Sequence, residues 1–454
     1  MQLFPKCFTA SLLASLLCGC EIIRPAPSAA DPVKTIEVAI FEGGYGIDWH
    51  EKMARLYSEQ HASDGIRIEL WGDPRVVEKI KPRLLRRDPP EVVLVTGLPM
   101  WRLIADGKLY PIDSALDQPA YGDPEHRWRD LFIAGTLDTY RSGDNVYAIP
   151  SAFAAWSCWY SARLFREHGW TPPRTWSEFD ALCDKIKRDG IAPLAFQGKY
   201  PFYAWYTYFS LVQRCGGLAA INRINALEPD AFSHPDAIRA ATLLQDMAVH
   251  HFQRGALAMT HTESQLQFVN DQAAMIFCGI WLENEMKNTT PPDFEMRAFN
   301  VPAVEGGKGN PRLFNGQGSE LFFVPAESRY PELALDFLRF LISPPYAPDI
   351  GSSIGIISPL KGAVPREALS PALQSVLDMM DVAPGIFQDR ITSLLPEWLS
   401  QVLNPNLSSL MRGEISPEEF GRRLDAGVRQ ARHDPDLIIP PFVPFNPVEF
   451  GEPS

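Results

Sequence analysis

The sequence predicts an α/β protein, because strand-like and helix-like segments alternate along most of the chain. Residues 35–41 (TIEVAIF) form a strand-like run that ends in the glycine-rich turn EGGYG. Residues 48–61 place apolar side chains at helical spacing, and residues 91–97 (EVVLVTG) are typical of a parallel strand buried on both faces. Ligand-facing loops in such a sheet follow the carboxyl ends of the strands, which here are residues 43–48, 71–74 and 96–101.

A second block of segments follows residue 150. Residues 154–165 and 273–281 predict strands, and the second of these ends in a glycine and a tryptophan. Between them, Thr175 and Glu178 have the spacing of a capping box that opens a helix, and Gly190 ends it. Trp176 is expected to pack at the start of that helix. Residues 436–454 are too rich in proline for a helix or a central strand, so we expect them to lie along the surface.

Charge and motif content exclude several classes of function. The 454 residues include 42 Lys and Arg against 55 Asp and Glu, for a formal net charge of −13. Such a chain is repelled by a phosphate backbone, so nucleic acid is not an expected partner. The turn GGYG lacks the G-x-G-x-x-G frame, and the histidines and cysteines show no zinc-ligand spacing. We therefore expect no cofactor and no metal.

The N-terminal residues predict export. Lys6 precedes the apolar run FTASLLASLL, which is too short to span a bilayer as an ordinary helix and has the length of a signal-peptide core. Residues 1–20 are interpreted as a lipoprotein signal segment, because residues 17–20 (LCGC) resemble a bacterial lipobox. The resemblance implies that Cys20 is lipidated, becomes N-terminal after cleavage and anchors the protein to a membrane. An ordinary cleaved signal is the alternative. Residues 21–34 are expected to be an extended tether. The export signal implies a periplasmic or extracytoplasmic location.

Cysteines beyond the signal leave two possibilities open. They are widely spaced and include no C-x-x-C pair: Cys158, Cys183, Cys215 and Cys278. In an oxidising compartment they could form two disulfides, and they could equally be buried thiols.

The order of the segments resembles the extracytoplasmic solute-binding proteins of ABC importers, in their carbohydrate-binding branch. The matching segments are residues 90–113, 146–182, 273–282, 299–303 and 319–343. Two further stretches, residues 41–48 (FEGGYGID) and 190–201 (GIAPLAFQGKYP), are similar to binding proteins for N-acetylglucosamine and chitobiose-type sugars.

That resemblance implies a class II periplasmic-binding-protein-like fold, with two α/β lobes, a ligand cleft between them and crossover segments serving as hinges. Residues 35–150 plus about 303–343 would form lobe 1, and residues 151–302 plus about 344–454 would form lobe 2. The implied function is capture of a mono- or oligosaccharide and its delivery to the transmembrane subunits of an ABC permease, without enzymatic chemistry.

Sugar recognition needs aromatic planes and directional polar groups, and residues 198–209 are rich in rings. Pro201 fits the first turn of a helix whose end is marked by Gly216 and Gly217. Helical spacing assigns one stripe to the core: Phe202, Trp205 or Tyr206, Phe209 and Val212. Tyr200 and Tyr203 fall off that stripe, beside Gln197 and Lys199, and the resemblance places a sugar contact at this helix start.

A stacking tryptophan is expected at Trp281, which follows Gly279 at the end of a strand where the resembling proteins have one. The other candidate ligand-binding residues lie at glycine-rich turns or beside strand ends: Gly44, Tyr45, Asp48, Trp101, Glu283, Asn315 and Gln317.

Two alternative functions stay open. A secreted glycoside hydrolase would need two carboxylates facing one another across a cleft, for which Asp48, Glu91, Glu283 and Glu320 are available. A sugar-sensing receptor subunit would have the same sequence features as an importer protein.

Overall fold

A computed structural model describes residues 33–43, 46–95, 97–435 and 437–453, without the side chains of residues 352–354. Cys20 lies outside the described residues, together with the predicted signal segment and most of the predicted tether. The strands are β1 (Lys34–Phe41), β2 (Ile66–Asp73), β3 (Val92–Leu94), β4 (Pro119–Ala120), β5 (Asp123–Arg127), β6 (Arg141–Ser142), β7 (Asn145–Val146), β8 (Ile149–Ser161), β9 (Ala192–Ala195), β10 (Ala273–Gly279), β11 (Met296–Phe299), β12 (Phe314–Phe323) and β13 (Ile386–Phe387).

The helices are α1 (Asp48–Gln60), α2 (Val76–Leu85), α3 (Met100–Ala105), α4 (Asp113–Leu116), α5 (Ala162–His168), α6 (Trp176–Arg188), α7 (Phe202–Asn225), α8 (Pro235–His251), α9 (His261–Val269), α10 (Leu282–Met286), α11 (Pro331–Leu341), α12 (Ala347–Ile354), α13 (Pro371–Asp381), α14 (Ile391–Leu394), α15 (Pro396–Trp398), α16 (Asn404–Met411) and α17 (Pro417–Arg432). Within the described ranges, no helix combines the length and the apolar character needed to cross a bilayer.

One mixed sheet runs through the molecule in the order β2-β1-β3-β12-β8-β10-β9. Strands β1, β2 and β3 pair in parallel, as the β-branched run in β3 predicts, and β12 lies antiparallel to both β3 and β8. Strand β8 connects the two ends of the sheet: its residue Ala155 pairs with Gly316 of β12, and the next residue, Trp156, pairs with Gly279 of β10. Strands β8 and β12 are therefore the long connections between the two halves of the fold.

The apolar side chains form two separate cores. The first core contains Ile36, Val38 and Ile40 of β1 together with parts of α1 and α11. The second core is larger and includes Trp159 of β8, Phe209 of α7 and many others. The larger core also includes Ala39 of β1, Ile80 of α2 and Val93 of β3, so it extends under both halves of the sheet. The mixed sheet with helices packed around it agrees with the predicted class II α/β fold, which is confirmed. The residue boundaries of the lobes stay a prediction.

Local signals in the sequence correctly located helix α6. The Thr175 hydroxyl accepts a hydrogen bond from the Glu178 backbone N–H, and the Glu178 carboxylate accepts from the Thr175 N–H, which forms the predicted capping box. Trp176 is buried and lies 4.8 Å from the Phe179 ring, as its packing role predicts. Gly190, at φ 83°, follows the helix end.

Two predicted boundaries are wrong. The strand predicted over residues 154–165 ends at Ser161, because the Ser161 hydroxyl accepts from the Leu164 N–H and starts α5. The helix that begins after Pro201 does not end at Gly216 and Gly217. Gly217 breaks the regular helix with φ 68° and ψ −171°, but helical structure resumes after it and continues to Asn225.

Only part of the C-terminal segment lies along the surface. Residues 437–447 have neither helix nor strand, but Glu452 is buried. Its Oε1 accepts from the Asn310 N–H (2.9 Å), and its Oε2 accepts from the Leu218 N–H (2.5 Å), the first residue after the break in α7. The prediction that the whole tail lies along the surface is therefore wrong, because Glu452 near its end is buried between α7 and the segment around Asn310.

All four cysteines beyond the signal are free thiols buried in the structure, which is the second of the two open possibilities. Burial raises the pKa of each thiol, to about 12 at Cys215, so these groups are neutral and unreactive at pH 7.

Candidate functional site

A cavity of about 490 Å³ lies between the two cores, at the carboxyl ends of β1 and β10. We call it the cleft cavity. Its lining comes from both halves of the fold and from the connecting strands: Ile40, Phe41, Gly43, Gly46, His50, Ser151, Ala154, Phe202, Tyr203, Trp281, Glu285, Gln317, Ser319, Glu320 and Ile356. The position agrees with the expectation that a ligand binds where strands end.

One side of the cleft cavity is an aromatic wall formed by Phe202, Tyr203 and Trp281. Trp156 of β8 supports the wall from behind, with its ring 6.1 Å from Tyr203 and 6.3 Å from Trp281. The Trp156 Nε1–H donates to the Thr207 hydroxyl (3.0 Å), which holds the supporting ring in place. The wall therefore presents fixed ring faces, which suit the C–H faces of a sugar.

Gly279 explains how the sequence Gly-Ile-Trp serves this wall. A Cβ at Gly279 would collide with the indole ring of Trp281, so only glycine lets the ring lie against the end of β10. The small size of Gly279 thus allows Trp281 to take its place in the wall.

His50, in the first turn of α1, also belongs to the lining of the cleft cavity. It is 5% exposed, and its ring packs edge-on against Trp49 (5.1 Å) and Phe322 (5.8 Å). Neither ring nitrogen has a hydrogen-bond partner among the described residues. Burial lowers the pKa of His50 to about 4, so the imidazole is neutral at pH 7 and offers one donor and one acceptor.

Glu320 of β12 has an unusual backbone conformation, with φ 49°. A non-glycine residue at positive φ is strained, and such residues concentrate at functional sites. The Ser151 hydroxyl donates to the Glu320 carbonyl (3.0 Å), which helps to hold this conformation. Burial raises the pKa of the Glu320 carboxyl to about 7, and the described residues give that carboxyl neither a hydrogen bond nor an ion pair.

The remaining polar lining is acidic or uncharged. Glu285 accepts from the Gln265 side-chain amide (2.6 Å). Gln317 and Ser319 are two residues apart in β12 and therefore lie on the same face of the strand. No Lys or Arg is found among the described residues that line the cleft cavity.

Three of the candidate residues from the sequence line the cleft cavity: Tyr203, Trp281 and Gln317. Four others lie outside it with internal partners. Gln197 donates to the Phe277 carbonyl (3.2 Å), and Asn315 donates to the Tyr206 carbonyl (3.1 Å). Trp101 is buried and donates to the Ser393 hydroxyl (3.4 Å), whereas Glu283 accepts from the Ser370 hydroxyl (2.5 Å).

Lys199 and Asp48 are exposed outside the cavity lining, and the ring of Tyr200 lies 5.6 Å from that of His261. Gly44 and Tyr45 fall outside the described residues, although their neighbours Gly43 and Gly46 line the cleft cavity. For all of these residues, ligand contact is untested.

Four lining residues that sequence reasoning did not assign to the ligand are informative. Phe202 has core spacing, but it sits in the first turn of α7, where the helix end faces the cavity. Glu285 lines the cavity, whereas the predicted contact Glu283, two residues earlier, bonds to Ser370 instead. Glu320 joins Gln317 and Ser319 despite the period-two alternation of a strand, because its φ is positive. His50 belongs to no recognisable motif.

Two lobes around a cleft define the class of the fold, that of the class II periplasmic binding proteins. The profile of the family described as "Bacterial extracellular solute-binding protein" matches residues 47–348, and the chain belongs to this family. The chain is 26% identical over 364 residues to the diacetylchitobiose binding protein NgcE of Streptomyces coelicolor, covering 79% of this chain and 76% of that protein.

Solved structures agree in fold. A chitin oligosaccharide binding protein superposes with a TM-score of 0.73 at 19% identity, covering 87% of this chain and 98% of that one. The solute-binding protein RafE in complex with raffinose superposes with a TM-score of 0.69 at 18% identity, covering 87% and 99%.

Proposed function

We propose that this protein is the substrate-binding component of an ABC sugar importer, which captures a mono- or oligosaccharide in the cleft cavity and delivers it to the membrane permease. The observation that carries the proposal is one cavity whose lining combines the aromatic wall of Phe202, Tyr203 and Trp281 with polar residues such as Gln317 and Glu320. Ring faces together with directional polar groups are what a pyranose ring requires.

N-acetylglucosamine or chitobiose is the sugar we propose, and the similarity to the diacetylchitobiose binding protein supports this choice. The ligand contacts we propose are Tyr203, Trp281 and Gln317 from the sequence prediction, with His50 and Glu320 added by the structure. Gly44 and Tyr45, between two lining glycines, are kept as proposed contacts.

Closure of the lobes on the ligand would signal occupancy to the permease. We assign residues 35–150 plus about 303–343 to lobe 1 and residues 151–302 plus about 344–454 to lobe 2. Strands β8 and β12 cross between the halves and would serve as hinges, since both contribute to the cleft cavity.

Export and lipid anchoring through Cys20 complete the proposal, which gives the protein a periplasmic or extracytoplasmic location and a membrane anchor. A Cys20→Ser variant should be recovered in the soluble rather than the membrane fraction. Recovery of both proteins in the soluble fraction would show an ordinary cleaved signal instead.

Isothermal titration calorimetry tests the function directly. The ligands are N-acetylglucosamine, N,N′-diacetylchitobiose, maltose and xylobiose, and we expect the first or second to bind with micromolar or tighter affinity. Binding of none of these sugars would contradict the proposal.

Glycoside hydrolysis is tested in the same samples. Of the carboxylates that the sequence offered, Glu91 is fully buried and accepts from the Glu37 N–H and the Arg329 guanidinium, so it cannot face a substrate. Only Glu320 lines the cleft cavity, with Glu285 as the other acid there. Release of smaller sugars from chito-oligosaccharides would overturn a purely binding function.

A further inference from the structure

We propose that the cleft accepts an amino sugar with a free, positively charged amine, and that Glu320 is the specificity-determining residue that pairs with this ammonium. The inference rests on the proposed function and adds to the acetylated sugars proposed for the same cavity a ligand with a free amine. A 2-amino-2-deoxy sugar, the deacetylated form of the chitin unit, has the required chemistry.

The charge of the cleft cavity is the first argument. Its titratable groups are His50 from α1, Tyr203 from α7, Glu285 from α10 and Glu320 from β12. Burial keeps His50 neutral and raises the pKa of Tyr203, so neither group contributes charge at pH 7. With no Lys or Arg in the described lining, the two carboxyl groups are the only charges that face the ligand.

Glu320 differs from Glu285 in lacking a partner. Glu285 has the amide of Gln265, but the described residues provide no donor to the carboxyl of Glu320. Phe41, Phe202 and Ile356 are apolar members of the same lining. The Glu320 side chain is partly buried, which makes its charged form less favourable, and a ligand that brings an ammonium offsets this cost.

The backbone conformation at Glu320 indicates that the local structure holds this residue in the cavity lining. A strand residue with ordinary φ would follow the alternation and face away from Gln317 and Ser319. Positive φ brings Glu320 into the same lining at the cost of backbone strain, which persists only where the surrounding structure enforces it.

His50 does not oppose this arrangement. Both of its ring nitrogens are buried and have no hydrogen-bond partner among the described residues. Because burial lowers the pKa of His50 to about 4, the imidazole is neutral at pH 7 and does not repel an ammonium nearby. We therefore expect Glu320 to be the group that pairs with the amine.

Three β-1,4-linked disaccharides that differ at C2 test the inference. Glucosamine disaccharide carries an ammonium, N,N′-diacetylchitobiose an acetamide and cellobiose a hydroxyl. Calorimetry at pH 7 should show glucosamine disaccharide binding to the wild-type protein about tenfold or more tighter than cellobiose, as one favourable charge pair predicts.

Substitutions at Glu320 should abolish this preference. We expect Glu320→Gln to lower the affinity ratio of glucosamine disaccharide to cellobiose to about twofold or less. Glu320→Asn is a second variant, since asparagine tolerates positive φ and keeps the backbone unstrained. Glu125→Gln, an exposed carboxylate on β5, removes the same charge outside the cleft cavity and should keep the wild-type ratio.

Failure of this inference is distinguishable from failure of the proposed function. If N,N′-diacetylchitobiose binds but glucosamine disaccharide binds no tighter than cellobiose, the amine preference is wrong and sugar binding stands. An amine preference that both Glu320 variants retain would show that another group pairs with the ammonium, and would overturn the role of Glu320. If none of the three disaccharides binds, and the screened sugars do not bind either, both proposals fail.

Discussion

Glu452 is predicted to stabilise the fold far more than its place near the chain terminus suggests. Its carboxylate accepts from the Gln213 side-chain amide (2.6 Å) and from the backbone N–H groups of Asn310 (2.9 Å) and Leu218 (2.5 Å). Leu218 is the first residue after the break at Gly217, so Glu452 caps the resumed helix at its N-terminus, where the helix dipole favours a negative charge.

Arg214 makes the loss of this carboxylate costly. Its side chain is 1% exposed, and it donates to the carbonyls of Val301 (3.0 Å) and Leu313 (3.1 Å) and to the Gln213 amide oxygen. Burial lowers the pKa of Arg214 to about 9, and the negative charge of Glu452 opposes that shift. Gln213 therefore links the buried cation to the buried anion in one network.

The expected magnitude follows from what Glu452→Ala leaves behind: three donors without an acceptor and a buried guanidinium without its compensating charge. Breaking a buried charge pair by removing one partner costs about 3–5 kcal/mol, and we expect the loss in unfolding free energy to fall in that range. Glu452→Gln keeps the shape but loses the charge and turns an acceptor into a donor, so an intermediate loss of about 2 kcal/mol is expected.

Urea denaturation followed by tryptophan fluorescence measures this loss. With a slope of about 3 kcal/mol/M, the Glu452→Ala midpoint should fall by roughly 1 M or more. Glu449→Ala is the matched control, because Glu449 is exposed and bonded only to the nearby Asn446 side chain; its effect should stay within about 0.5 kcal/mol. Equal midpoints for the two variants would refute the proposed role of the buried network.

Three further predictions concern the cleft cavity. Trp281→Ala should weaken sugar binding by about 1–3 kcal/mol in calorimetry, with little change in stability. The control Trp71→Ala removes a tryptophan outside the cavity lining and should leave the affinity unchanged. Unfolding of the Trp281→Ala protein would instead assign this ring to the core. The pKa of Glu320 is raised on folding, so its contribution to stability is present at low pH and is lost as the pH rises from its unfolded value through about 7. We expect the unliganded protein to lose up to about 2 kcal/mol between pH 5 and pH 8, and Glu320→Gln to lack that loss; identical pH profiles would contradict the assignment. Neutral sugars should bind with affinities that change less than about twofold between low and high salt, because they carry no charge to be screened, and a steep salt dependence would indicate a charged ligand.

Much of the site was accessible to sequence reasoning where local rules apply. The family resemblance, together with the local spacing, pointed to a tryptophan after a strand-end glycine and to a ring at the start of α7, and Trp281 and Tyr203 do line the cleft cavity. The predicted contacts Gln197 and Asn315 lie elsewhere, because their amides satisfy the backbone carbonyls of Phe277 and Tyr206. Amide side chains look the same in a sequence whether they serve a ligand or a buried carbonyl.

The alternation of strands and helices and the capping of α6 were determined by the sequence itself, since hydrophobic periodicity and cap chemistry are local properties. The two-lobed fold was predicted from the resemblance of the ordered segments to a known family. Only the tertiary structure decided which carboxylates face the cleft and which group neutralises Arg214. Glu320 joins the cavity lining at a position where its φ is positive, and Glu452 accepts a hydrogen bond from Leu218, which lies 234 residues away in the sequence. Such contacts depend on how distant segments pack, and burial then sets the charge of each group, which no local pattern encodes.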